Sequence, residues 1–390
     1  MTEFANVAPG EIRERNTASG PQIPAMINVH SHAFQRDMRG AAERLSASNA
    51  TDDFWSWRRA MFDTVAALDP DSMHDVALRV YTEMVNAGYG TVGEFHYVHH
   101  QPDGTPYAEP NAMAFAVAEA ARDAGIELVL LPAAYHRNGW SDGADIPPQS
   151  GQQRFCDPDV DTFLARVDAL RTWARGHAGV HVGIAAHSVR AVPAPWLAAI
   201  ARYAEQHDMV RHVHAQEQPR ELEQCQAEHG CSPLELLARH DFLGPRTTVV
   251  HAIHVSDADV AILARTRSIV AACPTTEANL GDGFLPALRY RDAGVRLAIG
   301  SDSNVRIDPF EETRELETLA RRLAVSRNAL LAHHGDLWAE LHKNGTASLG
   351  VAGTRRLEID LSHPSIRGVA QSDLPYALAT CAEPGIIVRD

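Results

Sequence analysis

The sequence predicts an α/β chain folded as a (β/α)8 barrel, and three observations predict it. Eight short runs rich in Val, Ile, Leu and Ala recur along the chain, most of them followed by a helical stretch. Several runs are apolar on both faces, as parallel strands buried under helices must be. Residues able to bind metals or carry protons stand at the carboxyl ends of these runs, the end where a barrel gathers its chemistry.

Length and composition agree. A chain of 390 residues with 45% hydrophobic content can bury one large core, alone or with a small appendage. The formal charge of −15 disfavours nucleic acid and anionic membrane surfaces as partners. The five cysteines, Cys156, Cys225, Cys231, Cys273 and Cys381, are scattered and form no Cys-x-x-Cys pair. They suggest neither a disulfide framework nor a thiolate metal site, and a reducing cytosol suits them. Met1-Thr2-Glu3-Phe4-Ala5 lacks the basic start and apolar stretch of a signal peptide, and no run approaches a membrane span, so a cytoplasmic location is expected.

In order, residues 1–25 read as an extended arm broken by Pro9, Gly10, Gly20, Pro21 and Pro24, with no convincing strand. The first barrel strand is Ile27-Asn28-Val29-His30. Helical stretches follow from Phe54 and from Asp69-Pro70-Asp71, the second with a cap and an acidic first turn, stopped by Gly88 and Gly90. Further strands are expected at 91–97, 126–132, 180–186, 209–214, 247–251, 268–273 and 295–300. Helices are expected at 111–124, 159–174, 195–207, 221–228, 233–239 and 257–265. Residues 137–158 show turn residues and little periodicity, and a loop that long is more often functional than idle. The expected division is an arm over 1–25, the barrel over 26–335, and a C-terminal helix with a residual β segment over 336–390.

His30 and His32 close the first strand two residues apart, so their side chains share a face. Alone, such a pair is more often a polar strand end than a ligand pair. His214 ends the fifth strand, His251 the sixth, and Asp302 follows the eighth. Each has a bland reading as a satisfied core histidine, a turn residue or a cap; their meeting at one barrel mouth favours a metal site. Imidazoles and a carboxylate around one divalent ion can lower the pKa of a bound water from 15.7 to about 7. Glu217, three residues past His214, can reach such a water without being a ligand, and suits a general acid–base role.

His30-x-His32, His214-x-x-Glu217, His251 and Gly300-Ser301-Asp302 together resemble the mononuclear deaminase branch of the amidohydrolase superfamily. Finer features resemble its formimidoylglutamate deiminase family: His30-Ser31-His32-Ala33-Phe34-Gln35-Arg36, Phe54-Trp55-Ser56-Trp57-Arg58, His187-Ser188-Val189-Arg190, and the run Cys273-Pro274-Thr275-Thr276-Glu277 through Gly283. The resemblance runs from about residue 26 to the carboxyl end. It implies one Zn2+ per chain, with Fe2+ or another divalent ion as alternatives, bound by His30, His32, His214 and Asp302. Glu217 would shuttle protons, and His251 would act beside the metal with Asp302. Gln35, Arg58, Tyr97, His187 and Arg190 match the family's substrate-binding positions.

The reaction so implied is hydrolysis of N-formimino-L-glutamate to N-formyl-L-glutamate and ammonia in histidine degradation. The partner is a small dicarboxylate amidine, with a homodimer allowed. Arginine suits carboxylates because its planar fork makes two parallel hydrogen bonds. The resemblance also implies a small β-sandwich from both chain ends. Here few residues precede the first strand, so a reduced appendage is expected, with Arg355–Leu361 and Gly385–Val388 as surviving strands. Two rivals remain: a superfamily deaminase acting on a heterocyclic amine or a different amidine, and a noncatalytic metal-binding scaffold. Arg58 and Arg190 speak against a ring amine, Glu217 and His251 against a scaffold. Surface pairing of Arg58 with Asp52 or Asp53 is the bland alternative for that residue.

Overall fold

The structure, a computed structural model, describes residues 20–40 and 54–388, the side chains of Phe54 and Trp55 excepted. Eight barrel strands, numbered here β1 to β8, are Met26–Ser31, Tyr89–His96, Glu127–Ala134, Ile184–Ser188, Arg211–Ala215, Thr247–His251, Ile269–Ala272 and Arg296–Ile299. They are parallel and pair in sequence order. Nearly every residue in them is buried, which explains the two-sided apolar runs.

The barrel closes between β8 and β1 through a few bonds. Ser31 and Asp302 form an isolated parallel bridge; the His32 N–H donates to the Asp302 carbonyl at 2.9 Å, and the Asp302 N–H to the His30 carbonyl at 2.9 Å. A buried side-chain network reinforces this seam. Asn28 donates to Ser301 Oγ at 2.7 Å and accepts from the Ser301 N–H at 3.0 Å; Ser301 Oγ donates to Asn304 Oδ1 at 2.6 Å, and Asn304 donates to the His32 carbonyl at 3.1 Å. Closure of the fold and placement of the candidate ligands are therefore one structural event.

Gly300 sits at this seam, where an added Cβ would lie 2.8 Å from the His30 carbonyl oxygen and 2.9 Å from His30 Cβ. Backbone cannot yield cheaply, so Gly300→Ala is expected to destabilise the chain by about 1–3 kcal/mol. Urea unfolding of the variant checks this; an unchanged midpoint would mean that the seam is slack.

Most expected elements are present with small shifts at their ends. The second strand begins at Tyr89, so Gly90 lies inside it, while Gly88 in the left-handed conformation caps the preceding helix Pro70–Ala87. Asp69 forms the cap, reciprocally with Ser72. The expected strand 180–186 is two pieces, Val180–Val182 and β4, interrupted at Gly183, whose N–H still reaches the Leu130 carbonyl at 2.9 Å. The segment 137–158 is not structureless. Gly139–Ser141 pairs with Ala144–Ile146 as a hairpin about Asp142-Gly143, both at positive φ. Asp-Gly was the available signal.

Two expectations about the chain ends need correction. The arm contains a strand after all: Gln22–Pro24 pairs antiparallel with Arg356–Glu358. Its partner lies more than 300 residues away, so no local pattern could announce it. At the other end, Pro384–Ile386 forms a 3-10 turn, and Ile387 alone bridges Ile359. Residues 1–19 of the expected arm, and Asp52 and Asp53, lie outside the described residues. The helix Leu337–Leu349 packs on the barrel itself. Gly345 lies against Ile27 of β1, Asn344 donates to the Leu297 carbonyl of β8 at 2.9 Å, and Ser348 meets Thr248 of β6 at 2.7 Å.

Candidate active site

At the carboxyl ends of the strands, His30 and His32 from β1, His214 from β5 and Asp302 after β8 aim one atom each at a common point, all within 4.8 Å of one another. His30 Nε2 is 3.0 Å from His214 Nε2 and 3.3 Å from Asp302 Oδ1; His32 Nε2 is 3.4 Å from the same oxygen. Backbone carbonyls orient two of the rings. His32 Nδ1 meets the Phe95 carbonyl at 2.8 Å, and His214 Nδ1 meets the His187 carbonyl at 2.9 Å. A carbonyl only accepts, so both rings carry their proton on Nδ1 and turn a bare Nε2 inward.

The electrostatics match that geometry. Burial keeps all three imidazoles neutral: it holds His30 below its usual value, His214 well below, and His32 down at about 3, with the neighbouring His30 adding to the last shift. Burial opposes ionisation of Asp302, but the hydrogen bond and charge of His30, with His251 and His32, hold its carboxyl well below the usual range. Lone pairs from neutral imidazoles and one carboxylate thus converge in a dry place, as a divalent cation requires. The donor set fits a divalent cation.

His251, ending β6, stands beside this set. Its Nε2 lies 3.5 Å from Glu217 Oε1 and 3.7 Å from Asp302 Oδ2, while its Nδ1 is 3.3 Å from Glu277 Oε1. Burial would lower its pKa, but Glu217, the hydrogen bond to Glu277 and Asp302 outweigh it and raise the value to about 10. Glu217 is raised, by burial first, with His251 offsetting part of the effect. His251 (φ 71°) and Asp302 (φ 47°) both occupy the left-handed region, a strain typical of functional sites.

One cavity joins these groups to every expected substrate-binding residue: Gln35, Arg58, Tyr97, His187 and Arg190 line it with His32, His214, Glu217, His251 and Asp302. Gln35 donates to the Tyr97 hydroxyl at 2.9 Å. Arg58 donates to the Tyr135 hydroxyl at 2.9 Å and to Asn138 Oδ1 at 3.2 Å; Arg190 donates to the Asn138 carbonyl at 3.1 Å. The segment 137–158 therefore positions both arginines.

Sequence reasoning assigned no role to Glu277, Gln218, Glu221 or Asn138, though Glu277 lies within a quoted motif. Trp57 also lines the cavity. His96, His99 and His100 are buried beside the mouth; His96 ends β2, and His100 lies 3.3 Å from Asp157. All five cysteines are free.

A barrel with this mouth defines a class of metal-site hydrolases. The chain belongs to the amidohydrolase family, whose model matches residues 22–339, as the motifs around His30, His214 and Asp302 led us to expect. It is 40% identical over 326 residues to the formimidoylglutamate deiminase of Pseudomonas aeruginosa, covering 82% of this chain and 70% of that one. It is 24% identical to a 5'-deoxyadenosine deaminase of Methanothermobacter thermautotrophicus, covering 84% and 69%. Among solved structures, an amidohydrolase from Brucella melitensis superposes with a TM-score of 0.85 at 34% identity, covering 96% of this chain and 87% of that one. An adenosine deaminase from Xanthomonas campestris, solved with bound zinc, superposes at 0.76 with 22% identity, covering 95% and 78%, and shares the fold. No helix among the described residues is long and apolar enough to cross a membrane.

Proposed function

We propose that this chain is a zinc-dependent deiminase converting N-formimino-L-glutamate to N-formyl-L-glutamate and ammonia, a cytosolic step of histidine degradation. The observation that carries the reading is the single cavity with a nucleophile-generating cluster at one end and Arg58, Arg190, Gln35 and Tyr97 along its wall. Identity of 40% to a formimidoylglutamate deiminase supports the same substrate.

A divalent ion held by His30, His32, His214 and Asp302 would supply a water with its pKa lowered toward about 7. Everything else falls to the chain. Glu217 accepts one proton of the water as its oxygen attacks the formimino carbon and passes it to the terminal nitrogen; the hydroxyl's remaining proton follows by the same route as the carbonyl forms. That carbon–nitrogen bond then breaks, ammonia leaves, and the formyl carbonyl remains. A carboxyl whose burial raises its pKa suits both halves of the shuttle. His251, protonated and braced by Glu277, donates to the charge that develops on the attacked carbon's substituents. Arg58, Arg190 and His187, with Gln35 and Tyr97, bind the carboxylates and so hold the formimino carbon near Glu217. A heterocyclic amine would gain nothing from two arginines.

The test is ammonia release by zinc-loaded protein from N-formimino-L-glutamate, N-formimino-L-aspartate and adenosine. Turnover of the first above the others is expected; turnover of adenosine alone would replace the reading. Arg190→Ala is expected to raise KM for the dicarboxylates by about 10- to 100-fold, the worth of a charge-assisted hydrogen bond. An unchanged KM would remove Arg190 from the carboxylate site.

A further inference from the structure

Gln218 and Asp282 form a pair that no step above uses. Gln218 follows Glu217 directly and stands at the N-cap of the helix Pro219–His229, yet its side chain makes no capping bond there. Such a position favours Ser, Thr, Asp or Asn, whose short side chains reach the free N–H groups of the first turn. The Gln218 amide turns instead to a residue 64 positions away, where its Nε2 donates to Asp282 Oδ1.

Asp282 is fixed through its backbone. Its N–H donates to the Glu277 carbonyl at 3.0 Å, and its carbonyl accepts from His254 Nε2 at 2.8 Å. The side chain is buried, and one carboxyl oxygen lies within 4.8 Å of a Glu217 oxygen and a His251 nitrogen. Burial first, then the charge of Glu217, pushes this carboxyl up to about 9, so it offers Gln218 an acceptor without setting a second negative charge against the shuttle.

Gln218 itself is half-buried and lines the reaction cavity beside Glu217. With Nε2 committed to Asp282, the planar amide turns Oε1 away from that residue. Among the described residues this oxygen accepts no hydrogen bond, and it remains accessible. An oriented, unused acceptor on the wall next to a proton shuttle suits an N–H donor carried by the ligand.

We propose that Gln218 is a substrate-binding residue whose Oε1 accepts the N–H of the terminal formimino nitrogen, and that Asp282 is its positioning residue. The terminal nitrogen of the free amidine carries one hydrogen and one lone pair in the same plane. Holding the hydrogen at Gln218 turns the lone pair toward Glu217, which delivers the proton that lets ammonia leave. The inference rests on the deiminase reading above and adds to it the group that orients the departing nitrogen.

The experiment compares zinc-loaded wild type, Gln218→Ala, Asp282→Ala and the double variant on two compounds. One is N-formimino-L-glutamate; the other is its analogue methylated at the terminal nitrogen, which as the free amidine has no N–H there and releases methylamine. Gln218→Ala is expected to lose about 10- to 100-fold in kcat/KM on the first and about threefold or less on the second. Where the methylated compound turns over too slowly to follow, its inhibition constant gives the same comparison. A merely structural residue would lower both alike, so equal losses would overturn the proposal, as would wild-type kcat/KM in Gln218→Ala. Asp282→Ala is expected to show the same selective loss, and the double variant to fall no more than about threefold below the weaker single one, because residues acting through one contact are not additive. Additive losses would overturn the positioning role. If wild type releases no ammonia from N-formimino-L-glutamate, the deiminase reading fails first; turnover by wild type without a selective loss in the variants sinks this inference alone. Unchanged circular dichroism and melting curves establish that the variants are folded.

Discussion

Glu217→Gln is expected to lower kcat by about 10²–10⁴-fold while leaving metal content and substrate KM close to wild type. Glutamine has the size and hydrogen-bonding reach of the residue it replaces, so the cavity and the barrel are undisturbed. What it lacks is a site that takes and returns a proton. The charged neighbour of the Glu217 carboxylate is His251, 3.5 Å away, and burial has already raised the carboxyl's pKa toward the range a shuttle needs. Because the residue is not among the four converging ligand atoms, zinc stoichiometry should not move. Single-turnover ammonia release with parallel metal analysis checks both parts. A variant retaining a tenth or more of the wild-type rate would assign the proton transfer to another group, and one that loses metal would make Glu217 a ligand.

Asp302→Asn is expected to abolish tight metal binding and with it activity, by about three orders of magnitude or more, without opening the barrel. Asp302 is the anion in a set otherwise made of neutral imidazoles, and its Oδ1 lies 3.3 and 3.4 Å from two of them. Removing that charge leaves three weak donors for a cation in a desolvated place. The fold should survive because the seam bonds of residue 302 come from its backbone, and because asparagine tolerates the left-handed φ of 47° observed there. Metal counting after dialysis against a chelator, together with a melting curve, separates the two effects. Loss of the folded state would show that the carboxylate holds the seam as well as the ion; full metal retention would take Asp302 out of the ligand set.

These two variants probe different parts of what the chain encodes. The alternation of apolar runs and helices, the cap at Asp69, and the pairing of His30 with His32 on one strand face are local, and periodicity exposes them directly. The left-handed residue at Asp302 and the Asp-Gly hairpin at 142–143 were also written locally, although turn chemistry inside a long irregular segment is easy to overlook. Trp57 illustrates the limit of such reasoning: a large aromatic in a helix reads as core, and whether its ring packs or lines a cavity depends on residues far away in the chain.

By itself, the order of residues determined the eight-strand barrel, the histidines and aspartate at its strand ends and the position of Glu217, because each depends on spacings of a few residues. Tertiary structure alone decided that His251 is braced by Glu277, that Asn138 holds Arg58 and Arg190, that Gln22–Pro24 finds its partner at Arg356–Glu358, and that barrel closure and the candidate ligand cluster meet at Asp302. The reason is physical: backbone periodicity is set by neighbours along the chain, whereas the charge, orientation and dryness of a buried side chain are set by whatever the closed barrel brings against it.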